Sequence, residues 1–528
     1  MALARKPSGI DERLEQYRSP IVKGVGVTES ERYLARLAEK SFLNLWSYPS
    51  PFRDQMSASD SEGKELCDLL VVCGQHIIIF SEKTIEWPSG DLNTAWCRWA
   101  RKAVMASAKQ AKGAERWITE YPERIFLDHD CTKRFPINLP EPEHRIVHRV
   151  LVARGASIAC RNHFGENSGS LIVRPSIKGE AHWSNRTGTV EPFAIGDIDP
   201  NGSFVHVFDE VALDIVLTEL DTVRDFTDYL VKRAEFIRSG KLSEAHGEEN
   251  LMAFYAIRIN DEGDHDFVVD ELPTPIVIDR LRYEKLSTDM RYLAKKQEDK
   301  VSYAWDMLID SFTTNMLNGT SITPEGYDFD LRRDEAGIRH LALLSRFMRR
   351  AHGQAFLGAL EKGKDVDRFC RAIMAPAGSK ECETAFFIQT FNYAMWEKFL
   401  ESQSGYELYR QKRTDLAIIY GRGLLERYPH LRQVVGISRE PLGQDHGVSE
   451  DFVCIGQTDW TDEERKTIRS DCEALSMLQN IKERPWTEDE FPEVETIIFD
   501  RPARRPGTSP LNRQQRRAMA AKRRKKRI

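Results

Sequence analysis

The run KELCDLLVVCGQHIIIFSEK, residues 64–83, constrains this chain more than any other stretch. Two apolar segments flank a short polar turn at Gly74, which predicts a β-hairpin with strands over about 66–73 and 76–83. Side chains alternate along a strand. Ile77, Ile79, Ser81 and Lys83 therefore share one face, and Ile78, Phe80 and Glu82 the other. Charge sits only at the ends of these strands: Asp68 opens the first, and Ser81, Glu82 and Lys83 close the second. A hairpin of this length brings Asp68 close to Ser81 and Lys83.

The neighbouring sequence gives the hairpin a setting. TESERYLARLAEKSFLNLWSYP carries a capping pattern, Thr28 with Glu31 three residues on, and an apolar stripe at helical spacing. WCRWARKAVMASAKQAKGAERWITEYP predicts a long helix ended by Pro122, and RIVHRVLVA, residues 145–153, a further strand. The order is helix, hairpin, helix, strand. Beyond it, VEPFAIGDIDPNGSFVHVF, with its turn at 199–202, predicts a second hairpin, and residues 209–237 a helix closed by Gly240. From about 246 to 430 the pattern is mainly helical, with residues 334–361, 383–403 and 405–429 the clearest helices. QVVGIS and EDFVCIG are short strand candidates, and Thr461 with Glu464 opens another capped helix.

With 528 residues the chain is too long for one core. No apolar run approaches the roughly 18 residues a membrane span needs. The first residues lack an apolar signal region, and nine cysteines without a CxxC pair fit reduced thiols, so a cytoplasmic location is expected. Net charge is -6, but residues 501–528 hold 12 Lys and Arg and no acid, leaving 64 basic and 82 acidic side chains elsewhere. A basic arm on an acidic body either binds phosphate backbones or docks on the protein's own surface.

A carboxylate beside a lysine at the edge of an apolar sheet suits metal-dependent phosphodiester hydrolysis. Hard oxygens hold Mg²⁺ (or Mn²⁺), the metal acidifies a bound water, and the lysine stabilises developing charge. On these residues the N-terminal region resembles the PD-(D/E)XK nuclease superfamily, and within it nuclease-related (NERD-type) and restriction-endonuclease-like domains. The resemblance covers about residues 28–153. Its signature is an Asp on one strand and an acid-x-Lys triplet on the next; here Asp68 is followed by Ser81 and Lys83. It implies a catalytic set of Asp68, Lys83, Glu31 in the first helix and Gln110 in the helix after the hairpin, in a Mg-dependent endonuclease of DNA processing or defence. The acid of the triplet is replaced by Ser81. Glu82 lies on the opposite face unless the strand bulges, so Glu31, Asp68 and Glu65 are the expected metal ligands. Arg98, Arg101, Lys102, Lys109 and Lys112 follow on the next helix with no acid between them, as a substrate-backbone face or an ordinary solvated one. Trp96 and Trp99 there would stack on bases or pack.

The expected fold is an α/β (α+β) restriction-endonuclease-like core followed by a mainly α-helical C-terminal region. Its divisions are a mobile lead-in (1–27), the core (28–155), an α/β extension (156–245), a helical domain (246–445), a small α/β segment (446–500) and a disordered basic tail (501–528). The expected partner is nucleic acid, DNA before RNA, and no membrane. Two other readings stand beside hydrolysis: a degenerate nucleic-acid-binding protein, with Ser81 marking the lost acid, and a protein-interaction scaffold working through its helices. Asp128, His129, Asp130 and Cys131 are too close in sequence to share one zinc ion without strain. His144 and His148 fall on a strand rather than a helix face, and GENSGS around Ser168 lacks the setting of a nucleophile elbow. No Walker motif occurs. Arg346, Arg349 and Arg350 mark either a nucleic-acid-binding helix or a packing helix with a wet face.

Overall fold

The two apolar runs fold as the hairpin their alternation predicts. The computed structural model of the protein describes residues 20–493, except 56–61, 166–168, 185–189, 270–273, 322–329, 380, 394–404, 444–448 and 480. The basic tail, the first 19 residues and Ser168 lie outside the described residues. The architecture is mixed α/β with several sheets.

Helix α1 (Glu29–Phe42) begins at a complete capping box between Thr28 and Glu31. Strands β1 (Ser47–Pro49), β2 (Phe52–Arg53), β3 (Lys64–Glu65), β4 (Leu69–Cys73) and β5 (His76–Thr84) follow. A helical crossover comes next: α2 (Leu92–Ala100), a π-helical turn (Arg101–Met105) and α3 (Ala106–Glu120). It ends before Pro122, as expected. After β6 (Ile125–Phe126) comes β7 (Ile146–Arg154). A crossover of this length permits parallel pairing, and β7 lies parallel to β5 in register from His76↔Ile146 to Thr84↔Arg154.

The chain continues through α4 (Ser157–Phe164), β8 (Ile172–Lys178), β9 (Ala194–Asp197), β10 (Val205–Phe208), α5 (Glu210–Glu219) and α6 (Val223–Arg238). The first sheet has the order β1-β4-β5-β7-β10, antiparallel from β1 to β5 and parallel from β5 to β10. Its two faces are covered differently. Ile78, Phe80 and Glu82 face α1 and α6: Phe80 packs on Phe42 and Phe226, and Glu82 meets Ser30. The opposite face meets α3, where Arg149 of β7 pairs with Glu115. A small sheet, β3-β2-β6, sits at the edge.

The hairpin expected around 199–202 does not form. β9 pairs with β8 and β10 with β7, so the turn carries the chain between two sheets. The helix expected over 209–237 is two, because Thr222 caps a new helix and accepts from the Asp225 amide. The second sheet is completed by β11 (Leu242–Ala245), followed by α7 (Glu248–Ala256), and β12 (Ile276–Ile278), in the order β12-β11-β8-β9.

The helical middle contains α8 (Met290–Glu298), α9 (Tyr303–Leu317), α10 (Leu331–Ala342) and α11 (Arg346–Lys362). The single helix expected over 334–361 breaks where Ser345 caps α11. The helix expected over 383–403 is contradicted: β13 (Arg368–Met374) is followed by β14 (Thr384–Phe391), a strand, and 394–404 lie outside the described residues. A short continuous apolar run fits a strand buried on both faces as well as a helix. Here β14 lies between β13 and β15 (Gln433–Arg439), with Phe386 and Ile388 in the main core and Ala385 and Phe387 under α12 (Gly405–Arg427). β16 (Glu450–Gly456) lies antiparallel to β15, and α13 (Asp462–Ala474) starts at the Thr461–Glu464 capping box. Gly436 of β15 admits no side chain, since a Cβ there would lie 2.1 Å from the Phe387 ring.

Arg346, Arg349 and Arg350 form neither a wet face nor a binding face. All three are buried. Arg346 bridges Asp221 and Asp306, Arg349 meets Asp306, and Arg350 meets Asp299. No helix among the described residues is long and apolar enough to cross a membrane.

Candidate functional site: a carboxylate cluster at the end of the hairpin

Asp68 immediately precedes β4 and is held from three sides. Its amide donates to the Phe80 carbonyl (3.2 Å), its carbonyl accepts from the Ser50 amide (3.0 Å), and its Oδ2 accepts from the Glu82 amide (2.5 Å). Ser50 adopts the left-handed φ of 46°, a turn that brings the chain from β1 back across Asp68. Burial pushes the Asp68 carboxyl up to about 7; the Glu82 amide opposes this, and the charges of Glu65, Glu31 and Glu82 add to it.

Those neighbours come from separate elements. Glu31 lies in the first turn of α1; its Oε2 accepts from the amides of Val27 (2.6 Å) and Thr28 (3.3 Å). Glu65, on β3, is half-buried, and burial with the Glu31 charge raises its carboxyl. Glu65 Oε1 is buried without a hydrogen-bond partner. Oε1 of Glu31 and Oδ1 of Asp68 likewise take no hydrogen bond among the described residues. Three carboxylates thus each keep one oxygen uncommitted, which is the donor chemistry a hard divalent cation takes. Among the described residues, however, no three acidic, histidine or cysteine side chains are grouped so as to hold a metal ion as they stand.

Glu82 was placed by alternation on the face away from Ser81, and it is there. Its Oε2 accepts from Ser30 Oγ (2.9 Å) and its Oε1 from Thr84 Oγ1 (2.8 Å), and Arg154 Nε lies 3.2 Å from Oε1. Its backbone amide still reaches Asp68. The acid next to Asp68 on β5 is therefore Glu82, without any bulge in the β4–β5 or β5–β7 register. Ser81 is fully buried on the α3 face and its hydroxyl has no partner.

The structure does not bring the other expected catalytic residues to this cluster. Lys83 falls on the Ser81 face, half-exposed, without a hydrogen bond or ion pair among the described residues. Gln110 sits half-exposed on α3, which covers that same face, and makes no hydrogen bond to the acids. Glu31, Glu65 and Asp68 feel one another's charge, whereas Lys83 and Gln110 make no hydrogen bond or ion pair to them among the described residues.

The basic residues of the crossover are surface residues. Arg98, Arg101, Lys102, Lys109 and Lys112 are all exposed. Arg101 donates to the Trp183 carbonyl (2.7 Å) and Lys112 pairs with Asp199 (3.0 Å), while Arg98, Lys102 and Lys109 are unpaired among the described residues. Trp96 and Trp99 pack rather than offer a platform. Both are fully buried, with rings 5.3 Å apart and indole N–H groups on the carbonyls of His182 and Arg154.

The remaining candidates have structural work. Asp128 caps its own turn by accepting from Thr132 and Lys133. His148 is buried in β7 and shares a hydrogen bond with His76 (3.0 Å). The residues missed in the sequence are Glu82 as the acid beside Asp68, and Arg154, whose place follows only from the parallel register of β5 and β7. Comparison with protein-family models, curated proteins and solved structures finds no match for this chain.

Proposed function

We propose that the protein hydrolyses phosphodiester bonds of nucleic acid with the help of a divalent cation, Mg²⁺ or Mn²⁺, and acts on DNA before RNA. What supports this reading is that the charges of Glu31, Glu65 and Asp68 reach one another at one end of the hairpin, and that each has an uncommitted oxygen. The strand arrangement supports it too: a leading helix, three antiparallel strands, a helical crossover and a parallel fourth strand are the order expected of a PD-(D/E)XK-like core. Asp68 and Glu31, with Glu65 alongside, would hold the cation. When bound, it would supply Lewis acidity and an acidified water. The protein's own share is to fix Asp68 through its three backbone bonds and to keep the carboxylates close.

A catalytically degenerate nucleic-acid-binding protein is the second reading. It is favoured by Ser81 at the acid position and by Lys83 making no contact with the acids among the described residues. Labelled single- and double-stranded DNA and RNA, incubated with Mg²⁺ or Mn²⁺, separate the two. Cutting by the wild type that disappears in Asp68→Ala supports hydrolysis. Binding without cutting supports the second reading.

A further inference from the structure

Lys83, the cation expected at the site, makes no contact with the acids among the described residues, yet a different cation stands on the face that meets α1. Arg154 ends β7 in register with Thr84, on the face that carries Glu82. Its Nε is 3.2 Å from Glu82 Oε1, and its side chain is 16% exposed. The geometry of that contact is not a hydrogen bond: Nε and Nη2 are both buried and neither has a hydrogen-bond acceptor. A guanidinium carries five N–H donors, and leaving a buried one unmade is costly.

The groups around the guanidinium have other partners. Glu82 spends its two oxygens on the hydroxyls of Ser30 and Thr84. The Tyr33 ring lies 5.6 Å from the Arg154 guanidinium carbon. The Arg154 carbonyl is taken by the Trp99 indole and the Ile85 amide, so the backbone beneath the side chain is fixed. The result is a positioned guanidinium at the carboxyl ends of parallel strands, where open α/β sheets take their ligands. It is joined through Glu82 to the backbone bond that holds Asp68.

We infer that Arg154 is an anion-binding residue of this site and takes a non-bridging oxygen of a substrate phosphate, the part the sequence assigned to Lys83. Arginine suits the part: its planar fork matches a phosphate, and charge-assisted bonds to oxyanions are about twice as strong as neutral ones. Glu82 then positions the guanidinium. This rests on the nucleic-acid reading above.

The test is fluorescence anisotropy of a short fluorescein-labelled DNA oligonucleotide in EDTA across a salt series, so that binding is read without cleavage. Wild type is compared with Arg154→Gln, Arg154→Lys and the exposed control Lys40→Gln. Arg154→Gln should weaken binding about tenfold, and the slope of log affinity against log salt should become shallower by about 1, the loss of one phosphate contact. Arg154→Lys should keep the slope and recover part of the affinity, and Lys40→Gln should match wild type. If Arg154→Gln fails to fold because Glu82 is left unpaired, Glu82→Gln/Arg154→Gln compared with Glu82→Gln reads the same difference with no buried charge stranded. An unchanged slope and affinity on losing Arg154, while wild type binds and the salt series is steep, would overturn the inference alone. A wild type that does not bind the oligonucleotide would overturn both the inference and the reading beneath it.

Discussion

Asp68 Oδ2 accepts the backbone amide of Glu82 at 2.5 Å, so the carboxylate that opens one strand is locked to the residue that closes the next. This bond favours the charged form of Asp68, while burial and three neighbouring carboxylates favour the neutral form, and the balance lifts its pKa to about 7.

That balance has a stability consequence. The unfolded carboxyl titrates near 3.9 and the folded one near 7, so the folded state holds its proton more tightly between those values. The associated stability is fully present below about pH 4 and is lost as pH rises through 7. Asp68→Asn keeps a carbonyl to accept the Glu82 amide and removes the charge. Thermal melts should show it more stable than wild type at pH 8, by on the order of 1–2 kcal/mol, with the gap closing towards pH 4. A variant less stable than wild type at pH 8 would contradict this.

Three histidines cross the first sheet beside α6 and pull the other way. His76 and His148 stack with ring centres 5.2 Å apart, and His206 lies 6.2 Å beyond, with Arg233 at 3.3 Å from its Nδ1. Burial lowers His76 to about 4 and His148 to about 3, and lowers His206 well below its ordinary value. The unfolded imidazoles take up protons below about 6.5 and the folded ones do not, so stability falls as pH drops from 6.5 towards 4. Each contributes up to about 1.4 kcal/mol per pH unit. His148→Gln should flatten the dependence of denaturant midpoint on pH between 6.5 and 4; an unaltered slope would refute the assignment.

Glu31 caps helix α1 and, under the proposed function, holds the cation, and substitution can separate the two. Glu31→Gln keeps an oxygen for the Val27 and Thr28 amides, so helix α1 should lose less than about 1 kcal/mol. Its charge near Asp68 is gone, so metal-dependent cleavage should fall by at least about tenfold. Thr28→Ala should do the reverse, costing about 1 kcal/mol in urea unfolding with cleavage retained.

The arginines of α11 hold the fold rather than a ligand. Asp306 takes the buried Arg346 at 2.7 Å and the buried Arg349 at 2.6 Å. Asp306→Ala strands the Arg349 charge and should cost about 3–5 kcal/mol, read by urea unfolding. A loss below about 1 kcal/mol would show that the arginines find water instead.

The β4–β5 hairpin, the helices on either side of it and strand β7 were legible in the sequence because their signals are local: apolar runs around a turn, a capping box at Thr28, and a helix stopped by Pro122. Asp68 at the head of the hairpin was legible for the same reason, while Glu31 and Glu65 were named only beside the family resemblance. The rest was not, because it depends on pairing between distant strands. Nothing around Glu82 indicates that Arg154, 72 residues on, lies in its register. Residues 384–391 read as helix because a continuous apolar run has no period that excludes one, and only burial between β13 and β15 decides for a strand. The Asp199–Gly202 turn resembles a hairpin turn, yet its two strands join different sheets. The arginines of α11 look solvent-facing until Asp221, Asp299 and Asp306 arrive from other helices and loops.

The most direct test of the carboxylate cluster is isothermal titration of Mn²⁺ into wild type and Asp68→Asn at pH 6.5, in two buffers of different ionisation heat. If Asp68, Glu31 and Glu65 form the cation site, wild type should bind Mn²⁺ and release a proton as it does so, because Asp68 is largely protonated at that pH. Asp68→Asn should bind weakly or not at all. Binding without proton release, equal binding by the variant, or no binding by wild type would contradict it.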